Sequence, residues 1–223
     1  MRALTPEILD FLAPDDPRAM RSRRDLARIN AVMGQSAIMA KALSGFPAPQ
    51  MLADLGGGDG RFMLSMARRL AKHWPDVRVV LLDRQSIVSE QTRAGFAALG
   101  WRCETLQGDI FESLPQIQPD IVIANLFLHH FDDAALRRLL ALVASRSRTF
   151  VASEPRRSAL ALLGARLVFA LGANGVTRHD AVASVRAGFC GRDLSALWPQ
   201  DKAWTLDERA AFLFSHVFYA HAL

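Results

Sequence analysis

At 223 residues, 51% hydrophobic and 22% charged, the chain has the apolar content to bury one large domain, alone or with an appendage. No run of about 18 uninterrupted apolar residues occurs, which excludes a spanning helix; Cys103 and Cys190 are too few for a disulfide framework and lack C-x-x-C spacing. The net charge of +5 admits an anionic partner, but no aromatic residue is interleaved among Arg18, Arg21, Arg23, Arg24 and Arg28, which disfavours nucleic acid and favours a solvated helix face.

The opening stretch MRALTPEILDFLAPDD lacks the apolar core and small-residue cleavage site of a signal peptide, so the expected compartment is the cytoplasm. Residues 1–48 read as a helical unit, either a cap over a binding cleft or a layer packed on a sheet. Thr5-Pro6-Glu7 has the form of an N-cap, a first-turn proline and an acidic first turn. Asp25–Met33 and Gln35–Leu43 carry apolar residues at helical spacing, with Gly34 as the break. Phe46-Pro47-Ala48-Pro49 then forces an extended lead into a second unit, residues 49–223.

Met51, Leu52, Ala53 and Leu55 form a short apolar strand, followed at once by Gly56, Gly57, Gly58 and Gly60 and then a helical stripe at Phe62, Met66 and Leu70. A strand that turns through glycines into a helix is a nucleotide-site signature, because glycine permits a tight turn and close approach of a ligand to the backbone. The spacing is G-x-G-x-G, not the G-x-G-x-x-G of dinucleotide enzymes, and Asp54 just before it suits a ligand ammonium better than a pyrophosphate. Val77–Leu82 is a second strand ended by Asp83, an acid at about the distance from the glycines at which a ribose diol is held; a helix N-cap is the other reading. Arg84–Leu99 reads as a helix closed by Gly100, and Trp101–Leu106 as a third strand leading to Gln107-Gly108-Asp109-Ile110.

Asp120–Ala124 is a strongly apolar fourth strand that runs into Asn125-Leu126-Phe127-Leu128-His129-His130-Phe131. Asp132 and Asp133 start a helix with Leu136, Leu139, Leu140 and Val143 on its buried stripe; Thr149–Ser153 is a fifth strand, and Arg157–Gly172 a further helix. Trp204–Asp207 and Phe212–Tyr219 fit an antiparallel pair at the sheet edge. The alternation gives an α/β class, a Rossmann-like doubly wound sheet of seven mostly parallel strands with the last antiparallel, under an N-terminal helical cap.

With Asp54–Gly60, Asp83, Gly108–Ile110 and Asp120–His130 in this order, residues 50–223 resemble the class I S-adenosylmethionine-dependent methyltransferases. The NLFLHHF and SHVFYA stretches look like small bacterial enzymes that methylate polyketide-type phenols or quinones. The resemblance implies S-adenosylmethionine as cofactor and S-adenosylhomocysteine as product. It implies cofactor contacts at Asp54, Gly56, Gly57, Gly58, Gly60, Asp83, Arg84, Asp109, Ile110, Asn125 and Leu126, with Asp109 at the adenine amine and Ile110 against the ring. It puts His129 and His130 beside the methyl group, where one can take a phenol's proton, since histidine titrates near neutrality and a phenol near pH 10. The alternatives are a non-catalytic cofactor-fold subunit or regulator and a nucleic-acid methyltransferase, which lacks its N-P-P-Y type signature here. A short-chain oxidoreductase would want a Tyr-x-x-x-Lys pair that the sole tyrosine, Tyr219, does not supply. No metal is expected, because adjacent His129 and His130 diverge on any regular element.

Between Ala159 and Leu171 the only charge is Arg166, so both faces of this helix are expected to be covered. One reading buries it in the core or in a subunit contact, which leaves a homodimer open. The other makes Leu167 and Phe169 a lipophilic wall for a small-molecule acceptor, with His179 nearby on a lid hinged at Gly172–Gly175.

Overall fold

The computed structural model describes residues 2–200 and 203–223, with the side chain of Phe169 outside that description. Its centre is a seven-stranded sheet in the order β3-β2-β1-β4-β5-β7-β6. The strands are β1 (Met51–Leu55), β2 (Arg78–Asp83), β3 (Arg102–Gln107), β4 (Ile121–Asn125), β5 (Thr149–Pro155), β6 (Trp204–Ala211) and β7 (Ser215–Ala222). The first five are parallel; β7 pairs antiparallel with both β5 and β6. The doubly wound sheet with an antiparallel last strand is therefore as expected from the sequence, except that β7 lies inside the sheet and β6 forms the edge.

The helices are α1 (Pro17–Val32), α2 (Gln35–Leu43), α3 (Arg61–Leu70), α4 (Glu90–Ala97), α5 (Ile110–Ser113), α6 (Asp133–Arg146), α7 (Ala159–Leu167) and α8 (Gly175–Ala187). Both faces of the sheet are buried, as a parallel sheet requires. On one face Ala53, Leu55, Val122 and Ala124 meet Leu136, Leu139, Leu140 and Val143 of α6. On the other, Leu52, Val79, Leu81 and Ile123 meet Met63, Met66 and Leu70 of α3 and Met39 and Leu43 of α2. The α2 helix is pinned from within: buried Gln35 accepts from Ser153 Oγ at 2.5 Å and donates to Ser215 Oγ at 2.9 Å, tying it to β5 and β7.

Local chemistry explains where elements stop. Asp16 caps α1 through the Arg18 N–H, with Pro17 in the first turn. Gly34, at φ 65°, makes the break between α1 and α2. Three sequence expectations change. Only a 3-10 turn, Ile8–Phe11, follows Thr5-Pro6-Glu7, and the Glu7 side chain does not cap it. The helix after β2 begins at Glu90, not Arg84, because Asp83 turns the chain through the Gln85 N–H and Ser89 caps Thr92. The helix after β5 gives way to a 3-10 turn over Val168–Leu171.

Candidate active site

Because the chain goes from β1 outward to β3 and then returns to β4 and β5, the strand order reverses between β1 and β4. Open α/β sheets bind ligands outside the carboxyl ends of strands at such a point. The glycine loop after β1 and the 125–131 segment after β4 meet there. Gly56 stands at φ 71°, and a Cβ on it would lie 2.3 Å from the Phe127 ring, so the two segments touch through a position only glycine can fill. Gly57 packs on Leu81, and Gly60, also left-handed, starts α3.

Asp83 organises the loop. Its Oδ2 accepts from Gly58 N at 2.9 Å and its Oδ1 from Gln85 N at 2.8 Å, which leaves lone pairs on both oxygens for a diol. Asp54 is buried on β1 and faces Asp83; burial first, and then the Asp83 charge, push its pKa up to about 8. Asn125 Oδ1 is buried without a hydrogen-bond partner among the described residues. An acid held neutral by burial and a buried amide oxygen with lone pairs to spare, together at this crevice, fit a cationic, hydrogen-bonding group. Asp109 caps α5 through Phe111 N at 2.9 Å and holds Arg84 at 3.2 Å, while Ile110 is buried beside it. Leu126, at φ 53°, turns the chain off β4, and its N–H is held by Ser153 O at 2.9 Å.

That turn aims three successive N–H groups at one buried carboxylate. Glu154, 0% exposed at the end of β5, accepts from Phe127 N at 2.9 Å, Leu128 N at 2.8 Å and, less closely, His129 N at 3.3 Å. Its Oε2 also lies 2.7 Å from His129 Nδ1. The remaining ring nitrogen, Nε2, lies 3.2 Å from Glu7 Oε1. His129 is 3% exposed. Burial alone would lower its pKa, but hydrogen bonds and charge from Glu154 and Glu7 outweigh that and raise it to about 9. Burial pushes the Glu7 carboxyl up in turn, and His129 and Ser184 bring it below the ordinary carboxylate value.

His129 and His130 do not diverge. They share the short 3-10 turn Leu128–His130, and their ring centroids are 4.3 Å apart with the planes 32° apart, so the two side chains lean together. His130 is the more open of the two and faces Asp10 at 3.4 Å. His179 lies elsewhere: it is bonded to Asp180 at 2.9 Å and lines a hollow with Arg166, Gly175, Arg178 and Val182. Leu167 is also outside this cluster. With Leu160, Leu163 and Leu171 it forms a stripe 46–52% exposed, so the outer face of α7 is not buried in the core of the single chain, which leaves the subunit-contact and acceptor-wall readings of that face. Phe169 belongs to the following 3-10 turn, and its side chain lies outside the described residues.

Sequence reasoning missed Glu7 and Glu154. The signal for Glu154 was an acid in an otherwise buried strand, beside the carboxyl end of β4. Glu7 carried none, since its pattern reads as an ordinary helix start.

A family model described as an O-methyltransferase domain matches residues 7–149. The mitomycin biosynthesis 6-O-methyltransferase of Streptomyces lavendulae is 31% identical over 140 residues, 60% of this chain and 37% of the relative. The 3-amino-4-hydroxybenzoate 4-O-methyltransferase of Streptomyces cremeus is 32% identical over 97 residues, 43% of this chain and 25% of that protein. The chain thus spans well under half the length of these curated relatives. Among solved structures, the pyocyanin biosynthetic protein PhzM superposes with a TM-score of 0.66 at 20% identity, covering 98% of this chain and 62% of that one, a likeness of fold.

Proposed function

Since the chain belongs to the O-methyltransferase domain family, we propose that it transfers a methyl group from S-adenosylmethionine to the hydroxyl of a small, lipophilic phenol or quinone-type acceptor, with His129 as general base. The observation that carries this reading is the 2.7 Å contact between His129 Nδ1 and the fully buried Glu154, beside the glycine loop at the sheet's switch point. A relative named for a hydroxybenzoate 4-O-position supports the acceptor class.

The sulfonium cofactor supplies an already activated methyl group, so the protein's work is alignment, exclusion of water and handling of one proton. Asp83 would hold the ribose hydroxyls, Asp109 and Ile110 the adenine, and Asp54 with Asn125 the amino-acid end. Glu154 fixes the imidazole: with Nδ1–H donated to the carboxylate, Nε2 is the nitrogen that can accept a proton. An acceptor hydroxyl bonded to Nε2 becomes more nucleophilic as its proton passes to the ring. Glu154 then stabilises the imidazolium, and the proton leaves to solvent after transfer. The segment that carries Glu7 acts as the cap that keeps His129 dry, while α2 packs on the sheet. The exposed leucines of α7, Leu167 among them, offer apolar surface for an acceptor's tail, at about 0.8 kcal/mol per methylene covered.

The test is a labelled-methyl assay over phenols, hydroquinones of graded alkyl length and nucleic acids. Phenolic product is expected, with catalytic efficiency rising over the first several carbons. His129→Asn should lose about 100-fold or more in kcat, within the range for a general base, and still bind S-adenosylhomocysteine by calorimetry. Labelled nucleic acid with inert phenols, or full activity in His129→Asn, would overturn the reading.

A further inference from the structure

Glu7 occupies the one position on His129 that an acceptor needs. Nδ1 is committed to Glu154, and Glu7 Oε1 stands 3.2 Å from Nε2. The segment that carries Glu7 lies as a strap across the His129 turn and α8. Ala3 N donates to Arg186 O at 3.1 Å, and Ile8 N and Leu9 N donate to the buried Asp180 at 2.8 and 3.0 Å. Arg2 donates to Phe131 O at 2.9 Å and pairs with Asp133 at 2.9 Å. Together these cover His129 almost completely.

Resting on the methyltransferase reading above, we infer that the N-terminal strap is a gate: Glu7 holds His129 Nε2 in the closed state, and the acceptor hydroxyl must displace it to reach the base.

The exchange balances bond for bond. The acceptor hydroxyl replaces the Glu7 carboxylate at Nε2, and Glu7 regains water. Ser184 Oγ, which also contacts Glu7, keeps its 2.8 Å bond to Asp180 O, so no buried donor is orphaned. The charged and titratable groups facing His129 are Glu154 from β5, Glu7 from the strap, His130 on the same turn and Arg2, whose guanidinium lies 3.4 Å from His129 O. Two carboxylates keep the closed ring protonated, with a pKa of about 9, and a protonated ring cannot accept a proton. Removing one of them as the strap opens lowers the proton affinity of the ring. The proton goes to solvent, and the neutral imidazole is left facing the acceptor. Closure thus parks the base in its idle form, and arrival of the acceptor turns it on.

The test compares the unmodified chain with Glu7→Gln, and uses Glu7→Asp as the conservative variant. The His129 pKa is read directly by NMR of the labelled imidazole, and His129 access by diethyl pyrocarbonate labelling resolved by peptide mass spectrometry. In Glu7→Gln the pKa should fall by about one unit or more, the effect of losing one close opposite charge, and labelling of His129 should quicken. The acid limb of kcat/KM should move down equally, so that kcat/KM at pH 7 rises about tenfold per unit. The gain should come through KM, with kcat little changed, and Glu7→Asp should restore part of the wild-type behaviour. An unmoved pKa and unchanged labelling would overturn the gate whether or not an acceptor has been found, and so would a tenfold fall in kcat/KM at pH 7. A moved pKa with faster labelling and no methyl transfer to any acceptor would keep the gate and count against the methyltransferase reading alone.

Discussion

The bridge Glu7–His129–Glu154 makes the stability of the protein depend on pH in a defined direction. His129 rises from the ordinary 6.5 to about 9 on folding. A group whose folded pKa is raised stabilises fully below its unfolded value, here pH 6.5, and that contribution is lost as pH climbs through 9. The shift corresponds to about 3 kcal/mol at 1.36 kcal/mol per unit. Asp54, raised to about 8, also titrates in part of this window, so the His129 share is isolated by substitution. Glu154→Gln keeps the volume and can still accept the Phe127 and Leu128 N–H bonds, but it presents no charge to Nδ1. Breaking a buried pair at one end costs about 3–5 kcal/mol, and that cost should appear at pH 6 in urea unfolding followed by tryptophan fluorescence. At pH 10, where the ring is neutral in both proteins, the gap should shrink by about 1–2 kcal/mol, the ionic part of one carboxylate's share. A gap of the same size at pH 6 and pH 10 would show that His129 is not held as a cation, and the reasoning about the gate's resting state would go with it.

Two further outcomes follow from the glycine loop and its acids. Gly56→Ala places a Cβ 2.3 Å from the Phe127 ring at a left-handed φ and should cost about 2–4 kcal/mol of stability, whereas Gly58→Ala, whose Cβ meets only Gly56 O at 4.0 Å, should cost less than half of that; equal losses by thermal or urea unfolding would refute the contact argument. Binding of S-adenosylmethionine should ionise Asp54 and release a proton between pH 6 and 7.5, so affinity should rise with pH there; calorimetry in buffers of different ionisation enthalpy measures this, and Asp54→Asn should release none.

The parts of the site that lie within a few residues of each other were legible in the sequence. The G-x-G-x-G turn, Asp83 and the Asp109-Ile110 step each combine a strand end with a residue whose chemistry is fixed by its own neighbours. The core stripe Leu136, Leu139, Leu140 and Val143 was legible for the same reason, since helical period alone assigns it. Glu154 and Glu7 were not, because their meaning lies in partners far along the chain: Glu154 gathers N–H groups from the 127–129 turn, and Glu7 reaches the same turn from the N-terminus. The direction of His129 and His130 depended on a 3-10 turn set by the positive φ of Leu126, which no periodicity announces. Which reading of the outer face of α7 holds was not legible, because composition says that a face is apolar and not what lies against it.

The position of β7 has a consequence for how the chain comes into being. A strand made late, Ser215–Ala222, sits between β5 and β6. During synthesis the strands β1 to β5 emerge first and can pair among themselves, but one edge of β5 stays open until β7 arrives. That edge is a row of unpaired backbone groups from Thr149 to Pro155, a template for any passing strand. It runs past Glu154, whose side-chain partners at Phe127, Leu128 and His129 all precede β7 in the chain, so the site's carboxylate stands next to the open edge. The newborn chain therefore passes through a window in which the strands around the glycine loop can be in place while one edge is still adhesive, and a single late strand closes it.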